Sequence, residues 1–167
     1  MVTKERFQKG MTFQQYLDQM TTNKERFLQL LQEIKIRPED REALKRFGKP
    51  LKVLVITEDW CGDALQNVPV MAKLVDGLPN VEMRVFLRDQ NPDLMDQYLN
   101  QGIYRSIPVF AFFDENMNEL SRFIERPPVV TELIEKKIRE LRQALRQQHG
   151  EEWRQATVDE IRTLLKA

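Results

Sequence analysis

The stretch that decides the fold is LKVLVITEDWCGDA, residues 51–64. It begins with the apolar run LKVLVI, whose length and composition are typical of a buried strand. The residues after Gly62 have helical spacing, so the sequence predicts a strand-to-helix junction around Trp60 and Cys61. Cys61 is the only cysteine in the chain. A helix N-terminus offers it unpaired N–H groups and a partial positive charge, both of which favour thiolate over thiol.

Apolar runs and helical segments alternate on the C-terminal side of this junction, which predicts a strand–helix–strand unit followed by a hairpin. Strands are expected near residues 52–57, 81–87, 107–113 and 119–124. Helices are expected near residues 63–76 and 92–100. Because the first two strands are joined through a helix, they should be parallel, and the hairpin then makes the sheet mixed.

Helices are also predicted on both sides of this core. Before it, an amphipathic helix follows a capping box formed by Thr12 and Gln15, and a second helix follows Thr22 and Glu25. A third should run over residues 38–47, with Gly48 just past its end. After the core, apolar spacing predicts a long helix from about residue 128 to 148 and a short final helix from about residue 157.

Four features resemble the thioredoxin-like family. Trp60-Cys61-Gly62-Asp63-Ala64 is similar to the Trp-Cys-Gly-Pro-Cys active site, and Pro69 has the spacing of the proline that kinks the active-site helix. VFLRDQNP, residues 85–92, looks like the strand that ends in Asp-Gln-Asn-Pro, and YRSIPVF, residues 104–110, resembles the segment with the family's cis-proline. These matches occur in the family's order.

The resemblance implies an α/β thioredoxin-like fold, with a mixed central sheet of about four strands flanked by helices. It covers roughly residues 51–145. The chain is expected to form a single domain, residues 1–167, with an N-terminal helical extension over 1–50, the core over 51–145 and a C-terminal tail helix over 146–167.

The same resemblance implies the site residues. Cys61 would be the catalytic thiol, with Trp60, Gly62, Asp63 and Ala64 forming the active-site loop. Substrate would lie along a second segment, which contains Arg105, Ile107 and the cis-proline Pro108. No metal ligands or cofactor are expected.

Three positions depart from the family's pattern, the first being Asp63, which stands where the family has the proline between the two cysteines. Ala64 occupies the place of the second cysteine, which resolves the mixed disulfide in dithiol exchange. Val55 occupies the place of the buried acid in the active-site strand. Turnover through Cys61 therefore needs an external thiol.

Acidic neighbours also affect the thiol. Glu58, Asp59 and Asp63 would each repel a thiolate by about 1 kcal/mol at ~6 Å and an effective dielectric near ~40.

Composition excludes several classes of function. Twenty-six basic residues balance twenty-six acidic ones, so no net field favours nucleic acid or an anionic membrane. No apolar stretch approaches the ~20 residues of a membrane span, and no secretory signal is expected from the polar N-terminus. One cysteine cannot form a disulfide framework, and no nucleotide-binding glycine pattern is present. A cytoplasmic location is the expectation, and the oligomeric state stays open.

Three hypotheses for the function follow. The first is a cytoplasmic monothiol–disulfide oxidoreductase in which Cys61 reacts with protein thiols or disulfides and an external low-molecular-weight thiol. The second is a non-catalytic binding module that uses the groove between Trp60 and Pro108. The third is a stress sensor in which Cys61 forms a sulfenic acid that a small thiol caps. Fold alone does not choose among them.

Overall fold

The apolar run that opens the deciding stretch forms strand β1, Leu51–Thr57, at the interior of a four-stranded sheet. This architecture comes from a computed structural model that describes residues 1–46 and 48–165. The other strands are β2 (Val81–Leu87), β3 (Val109–Phe113) and β4 (Glu119–Ile124). The sheet order is β2-β1-β3-β4. β1 pairs parallel with β2 and antiparallel with β3, and β3 pairs antiparallel with β4, so the predicted mixed sheet is confirmed.

The middle of β1, residues 53–56, is entirely hydrophobic because both faces of the strand are covered. Leu54 and Ile56 point into one buried cluster, which they share with Phe86 and Val109 from the flanking strands. Val53 and Val55 alternate with them and point into a second cluster on the opposite face. The period of two in a strand therefore divides the core into two halves.

Helices flank the sheet in the first of two compact units, Met1–Arg126. Four of them precede the sheet: α1 (Lys4–Gln8), α2 (Phe13–Gln19), α3 (Lys24–Glu33) and α4 (Pro38–Arg46). Two more lie within the core: α5 (Gly62–Val75), which follows β1, and α6 (Pro92–Met95), which follows β2. The α/β class and the helical extension at the N-terminus are confirmed.

The second compact unit is Pro127–Ala167. It contains α7 (Pro128–Gln148) and α8 (Gly150–Leu165), which contact each other. Neither helix contains a buried residue in the part of the chain that the structure describes. The division of a single domain into extension, core and tail stays a prediction. No helix among the described residues is both long enough and apolar enough to cross a membrane.

Several element boundaries differ from the sequence-based expectation. α1 was not predicted, because it has only five residues and too few apolar positions to show a period. The capping box of Thr12 and Gln15 is confirmed, with Thr12 Oγ1 accepting from the Gln15 N–H at 3.2 Å and Gln15 Oε1 accepting from the Thr12 N–H at 2.8 Å. The second predicted box is wrong: the N-cap of α3 is Asn23, in the left-handed region, without a side-chain cap.

Further along the chain, α6 is shorter than predicted. Asn100 and Tyr104 exchange backbone hydrogen bonds of 2.8 and 3.0 Å, so the chain after α6 closes as turns rather than continuing as a helix. α8 begins at Gly150, earlier than the predicted start near residue 157, because its first turns are polar and lack helical apolar spacing. The predicted end of α4 at Phe47 lies outside the described residues.

The ionised state of Glu82 on β2 stabilises the sheet near its edge. Glu82 Oε2 accepts from Lys52 Nζ at 2.8 Å, while Oε1 accepts from Arg84 Nη2 and from Gln8 Nε2, both at 3.0 Å. Burial opposes ionisation, but these hydrogen bonds outweigh it and lower the pKa of Glu82 to about 2. A carboxyl group whose pKa is depressed on folding stabilises the protein above its unfolded pKa, and this contribution is lost as the pH falls through the folded value.

We therefore predict that Glu82→Gln lowers the free energy of unfolding at neutral pH by roughly 1–2 kcal/mol, a value discounted for solvent screening. The difference from the parent protein should shrink as the pH falls from 4.5 towards about 2. Urea unfolding at a series of pH values measures it. Glu115→Gln, at an exposed position in the hairpin loop, is the matched control. A Glu82→Gln deficit that persists unchanged at acid pH would contradict the linkage argument.

Candidate functional site

Cys61 lies at the predicted strand-to-helix junction, where it is the N-cap residue of α5. Its φ and ψ are −81° and 122°, the extended backbone that an N-cap adopts. Its Sγ accepts a hydrogen bond from the Ala64 N–H at 3.4 Å. The sulfur thus takes the place that a serine or aspartate oxygen usually occupies, and the positive end of the helix dipole faces it. Cys61 is free and partly exposed.

The segment before β3 lies across from the thiol. Cys61 Sγ is 3.5 Å from the carbonyl oxygen of Ile107, to which the thiol can donate a hydrogen bond. The Ile107–Pro108 peptide bond is cis. Ile107 is buried in the cluster on the Leu54 face, and Cys61 packs against that cluster. The structure therefore brings Cys61 together with Ile107 and Pro108, which lie more than forty positions further along the sequence.

Trp60 and Gly62 form the open side of the loop. The Trp60 side chain is 47% exposed, and the guanidinium of Arg88 lies 4.7 Å from its ring centroid. Such a cation–π contact is worth about 0.5–1 kcal/mol at an exposed site, which favours this orientation of the indole. A Cβ added at Gly62 would meet no atom within 4 Å. The space beside the Gly62 Cα is therefore open.

The segment 124–126 closes the other side, and sequence reasoning missed its role. The Glu125 N–H donates to the Pro108 carbonyl at 2.8 Å, and Asn67 Nδ2 on α5 donates to the Glu125 carbonyl at 3.3 Å. Arg126 forms an ion pair with Asp63 at 3.2 Å and also pairs with the Glu125 carboxylate. Asp63, in the first turn of α5, is therefore not an uncompensated negative charge beside the sulfur.

Asp59 is also compensated, by the loop between α2 and α3. Its Oδ2 accepts from the Thr21 N–H at 2.7 Å and from the Thr22 N–H at 2.9 Å. Asn23 Nδ2 donates to the Asp59 carbonyl at 2.9 Å. The N-terminal extension thus fixes the loop that carries Trp60 and neutralises part of the Asp59 charge with backbone dipoles.

Glu58, the third acid expected to repel the thiolate, is buried at 7% exposure. Its Oε1 accepts from the Asp89 N–H at 2.8 Å. Burial raises the pKa of Glu58, and the hydrogen bond from Asp89 opposes this rise only in part. Each of the three acids expected to repel a thiolate therefore has a partner, while the repulsion itself stays a prediction.

Arg105 does not reach the thiol through its guanidinium. Its Nε and Nη2 donate to the two carboxylate oxygens of Asp96 at 2.7 and 2.8 Å, and its side chain is half-exposed. Its carbonyl accepts from Arg88 Nη1 at 3.4 Å, which connects the segment before Pro108 to the residue that covers Trp60. Arg105 therefore joins the candidate site through its backbone, and substrate contact by its side chain stays a prediction.

Ala64 is only 1% exposed and packs in the cluster on the Val55 face. The place of a resolving thiol is thus filled by a methyl group in a closed core. No group of three or more histidine, cysteine, aspartate or glutamate side chains is gathered in metal-binding proximity among the residues that the structure describes. The chemistry that this arrangement supports is that of one accessible sulfur at a helix start.

With this geometry in place, comparison with known proteins identifies the family. The chain belongs to the Thioredoxin family, whose sequence profile matches residues 10–146. No curated protein sequence matches the chain.

Solved structures with similar folds include a Pseudomonas aeruginosa protein of unknown function, with 24% identity, a TM-score of 0.69, and coverage of 79% of this chain and 82% of that one. An HIV epitope-scaffold is similar at 24% identity, with a TM-score of 0.67 and coverage of 78% and 81%. Fasciola hepatica thioredoxin is similar at 26% identity over 57% of this chain and 88% of its own, with a TM-score of 0.38. The first two likenesses show the fold.

The Asp63–Arg126 ion pair generates a prediction about the thiol. Arg126→Gln should leave the Asp63 charge uncompensated and slow alkylation of Cys61 at neutral pH by about threefold to tenfold, the effect of one unscreened like charge at ~6 Å. Iodoacetamide alkylation rates measure it. The double variant Asp63→Asn/Arg126→Gln should recover part of the rate, because the Asp63 charge is gone while the Glu125 carboxylate has lost its arginine partner. Equal rates for Arg126→Gln and the parent protein would show that Asp63 does not act on the sulfur.

Proposed function

We propose that the protein is a monothiol–disulfide oxidoreductase that uses Cys61 together with an external low-molecular-weight thiol. The observation that carries the proposal is the position of Sγ, which caps α5, accepts the Ala64 N–H, and faces the Ile107 carbonyl beside Pro108. A helix N-cap is a position where a negative sulfur is stabilised. Membership of the Thioredoxin family supports the redox reading.

The reaction has two exchange steps. In the first, the Cys61 thiolate attacks one sulfur of a substrate disulfide, an S–S bond to Cys61 forms, and the other substrate sulfur leaves as a thiolate that takes a proton from water. In the second, the thiolate of a small thiol attacks the substrate sulfur of the mixed disulfide. A new disulfide between small thiol and substrate forms, and Cys61 leaves as a thiolate. No second cysteine is needed, which agrees with a buried alanine at residue 64.

The proposal takes a protein or small-molecule disulfide as the substrate, since the balanced charge of the chain gives no net field that favours a nucleic acid or an anionic membrane. Access to Cys61 is past Gly62, where the space is open, and alongside the half-exposed Trp60. The proposal places the reaction in the cytoplasm, where small thiols are kept reduced.

The half-exposed indole and the absence of a resolving thiol favour a second candidate, a non-catalytic module that binds a protein segment between Trp60 and Pro108.

An enzyme assay separates the two candidates. Its substrate is a mixed disulfide between a peptide and a small thiol, its reductant is the free small thiol, and the rate of disulfide reduction is measured. We expect turnover by the parent protein and none by Cys61→Ser, because no other sulfur nucleophile of the cysteine type exists in the chain. Unaltered secondary structure of the variant, measured by circular dichroism, is the control. If the parent protein forms no mixed disulfide and shows no turnover, the oxidoreductase proposal fails and the binding module is favoured.

Replacement of Ala64 tests the mechanism from the opposite direction. Ala64→Cys places a thiol at the third residue of α5, whose N–H already bonds Cys61 Sγ, so an internal disulfide should form and reduction of insulin-type disulfides should appear. The added sulfur in a closed core should cost about 1–3 kcal/mol of stability. Ala72→Cys, a buried position on the same helix, is the matched control and should gain no such activity. Equal activity in the parent protein and Ala64→Cys would contradict the monothiol mechanism.

A further inference from the structure

The second compact unit, Pro127–Ala167, carries most of the exposed large apolar side chains of the protein. Among the described residues eighteen such side chains are exposed, and eleven of them lie on α7 and α8, in a quarter of the chain. They include Leu133 and Leu141 on α7 and Trp153 and Ile161 on α8, each between 49% and 61% exposed. Single exposed apolar residues are ordinary in proteins, whereas a concentration of them marks an interaction surface.

Helical spacing gathers these side chains into one apolar stripe on each helix. The stripe on α7 is a series of residues three or four positions apart: Val130, Ile134, Ile138, Leu141 and Leu145. The stripe on α8 has the same spacing and consists of Val158, Ile161 and Leu165, with Trp153 and Leu164 beside Ile161. A single residue, His149, joins the two helices.

The two helices have no core of their own. Neither contains a buried residue in the part of the unit that the structure describes. Most helical stability in proteins comes from the packing of an amphipathic face, and units of about 40 residues usually need a disulfide, a metal or association to be stable. The sequence of the unit contains no cysteine and one histidine. Association through the two stripes is therefore the expected source of packing.

The charges of the helices indicate which surface they bind. α7 has five basic and three acidic side chains, a net charge of +2, whereas α8 has two basic and four acidic ones, a net charge of −2. When two copies are related by a two-fold axis, α7 of each copy can lie against α8 of the other, and both contacts are attractive. An anionic membrane would favour basic residues on both helices, and the acidic excess of α8 opposes that partner.

The apolar surface of the unit is large enough for such a dimer. Its eleven side chains, exposed by 37–72%, offer on the order of 1,000 Å² of surface, and a standard stable interface takes about 800 Å² from each partner.

We propose that α7 and α8 form the interface of a homodimer, in which the apolar stripe of α7 packs against the stripe of α8 from a second copy. Two helices from each copy then enclose one shared core. The interface does not use Cys61, so its test is independent of the proposed function.

Sedimentation velocity over a range of protein concentrations tests the proposal. A reductant is present, so that a disulfide between two Cys61 side chains cannot link the copies. We expect twice the 19.9 kDa mass of one chain. Leu141→Glu and Ile161→Glu each place a charge in a stripe and should raise the dissociation constant of the dimer by about tenfold or more. Ile103→Glu, at a 70% exposed position outside this unit, is the matched control and should leave the dimer intact.

Exchange of charges tests the pairing of α7 with α8. Arg142→Glu/Arg146→Glu changes the net charge of α7 from +2 to −2, and Glu151→Lys/Glu160→Lys changes that of α8 from −2 to +2. Each double variant alone should dissociate, because its two helices then carry the same sign. An equimolar mixture of the two should form a heterodimer, since both contacts are attractive again.

A parent protein that stays monomeric at every concentration overturns the proposal, whether or not it binds phosphatidylglycerol vesicles. A dimer that Leu141→Glu and Ile161→Glu leave intact overturns it as well, because another surface then holds the copies together. A mixture of the charge variants that stays monomeric contradicts the pairing of α7 with α8. If an apolar variant loses cooperative urea unfolding, the mixture decides, because a recovered heterodimer requires that both charge variants are folded.

Discussion

Burial of β1 on both faces is the constraint on which the rest of the structure depends. The strand pairs with β2 on one side and β3 on the other, and six of its seven residues are buried. Each face requires its own cover, which the sequence supplies as two apolar clusters of alternating β1 residues. A strand in this position cannot end in the core, because its backbone groups need partners. The loop of residues 58–60 carries it out to the surface, and α5 returns to cover one face.

Cys61 is at the point where that return begins, and this explains why the local part of the site was predictable. The strand, the junction and the capping box of Thr12 and Gln15 depend on residues within a few positions of one another, whose spacing is visible in the sequence. The mixed sheet followed from the order of these elements. The early end of α6 was not predicted, because the chain after it closes as turns through the Asn100–Tyr104 bridge.

The partners of the acids beside the thiol were not predicted, for the same reason. Asp59 and Asp63 were expected to repel a thiolate because they are close to Cys61 along the chain. Their partners come from distant segments: the Thr21 N–H binds Asp59, and Arg126 binds Asp63. Neither partner carries a local pattern that would identify it, since a turn residue and a charge after a strand have many ordinary roles. Arg105 is the opposite case: the sequence suggested that its side chain lines the site, but in the structure that side chain pairs with Asp96.

The partners of the loop also show that the helical extension belongs to the site. A resemblance confined to residues 51–145 treats the first fifty residues as an addition to a finished core. In the structure, the turn between α2 and α3 holds Asp59, and α2 places Tyr16 in the cluster that buries Ala64. Cys61 therefore packs against two buried clusters, one that contains Ile107 and one to which the extension contributes Tyr16. The two groups that contact Sγ, the Ala64 N–H and the Ile107 carbonyl, lie within the motifs by which the sequence is recognised, whereas the partners of Asp59 and Asp63 lie outside them.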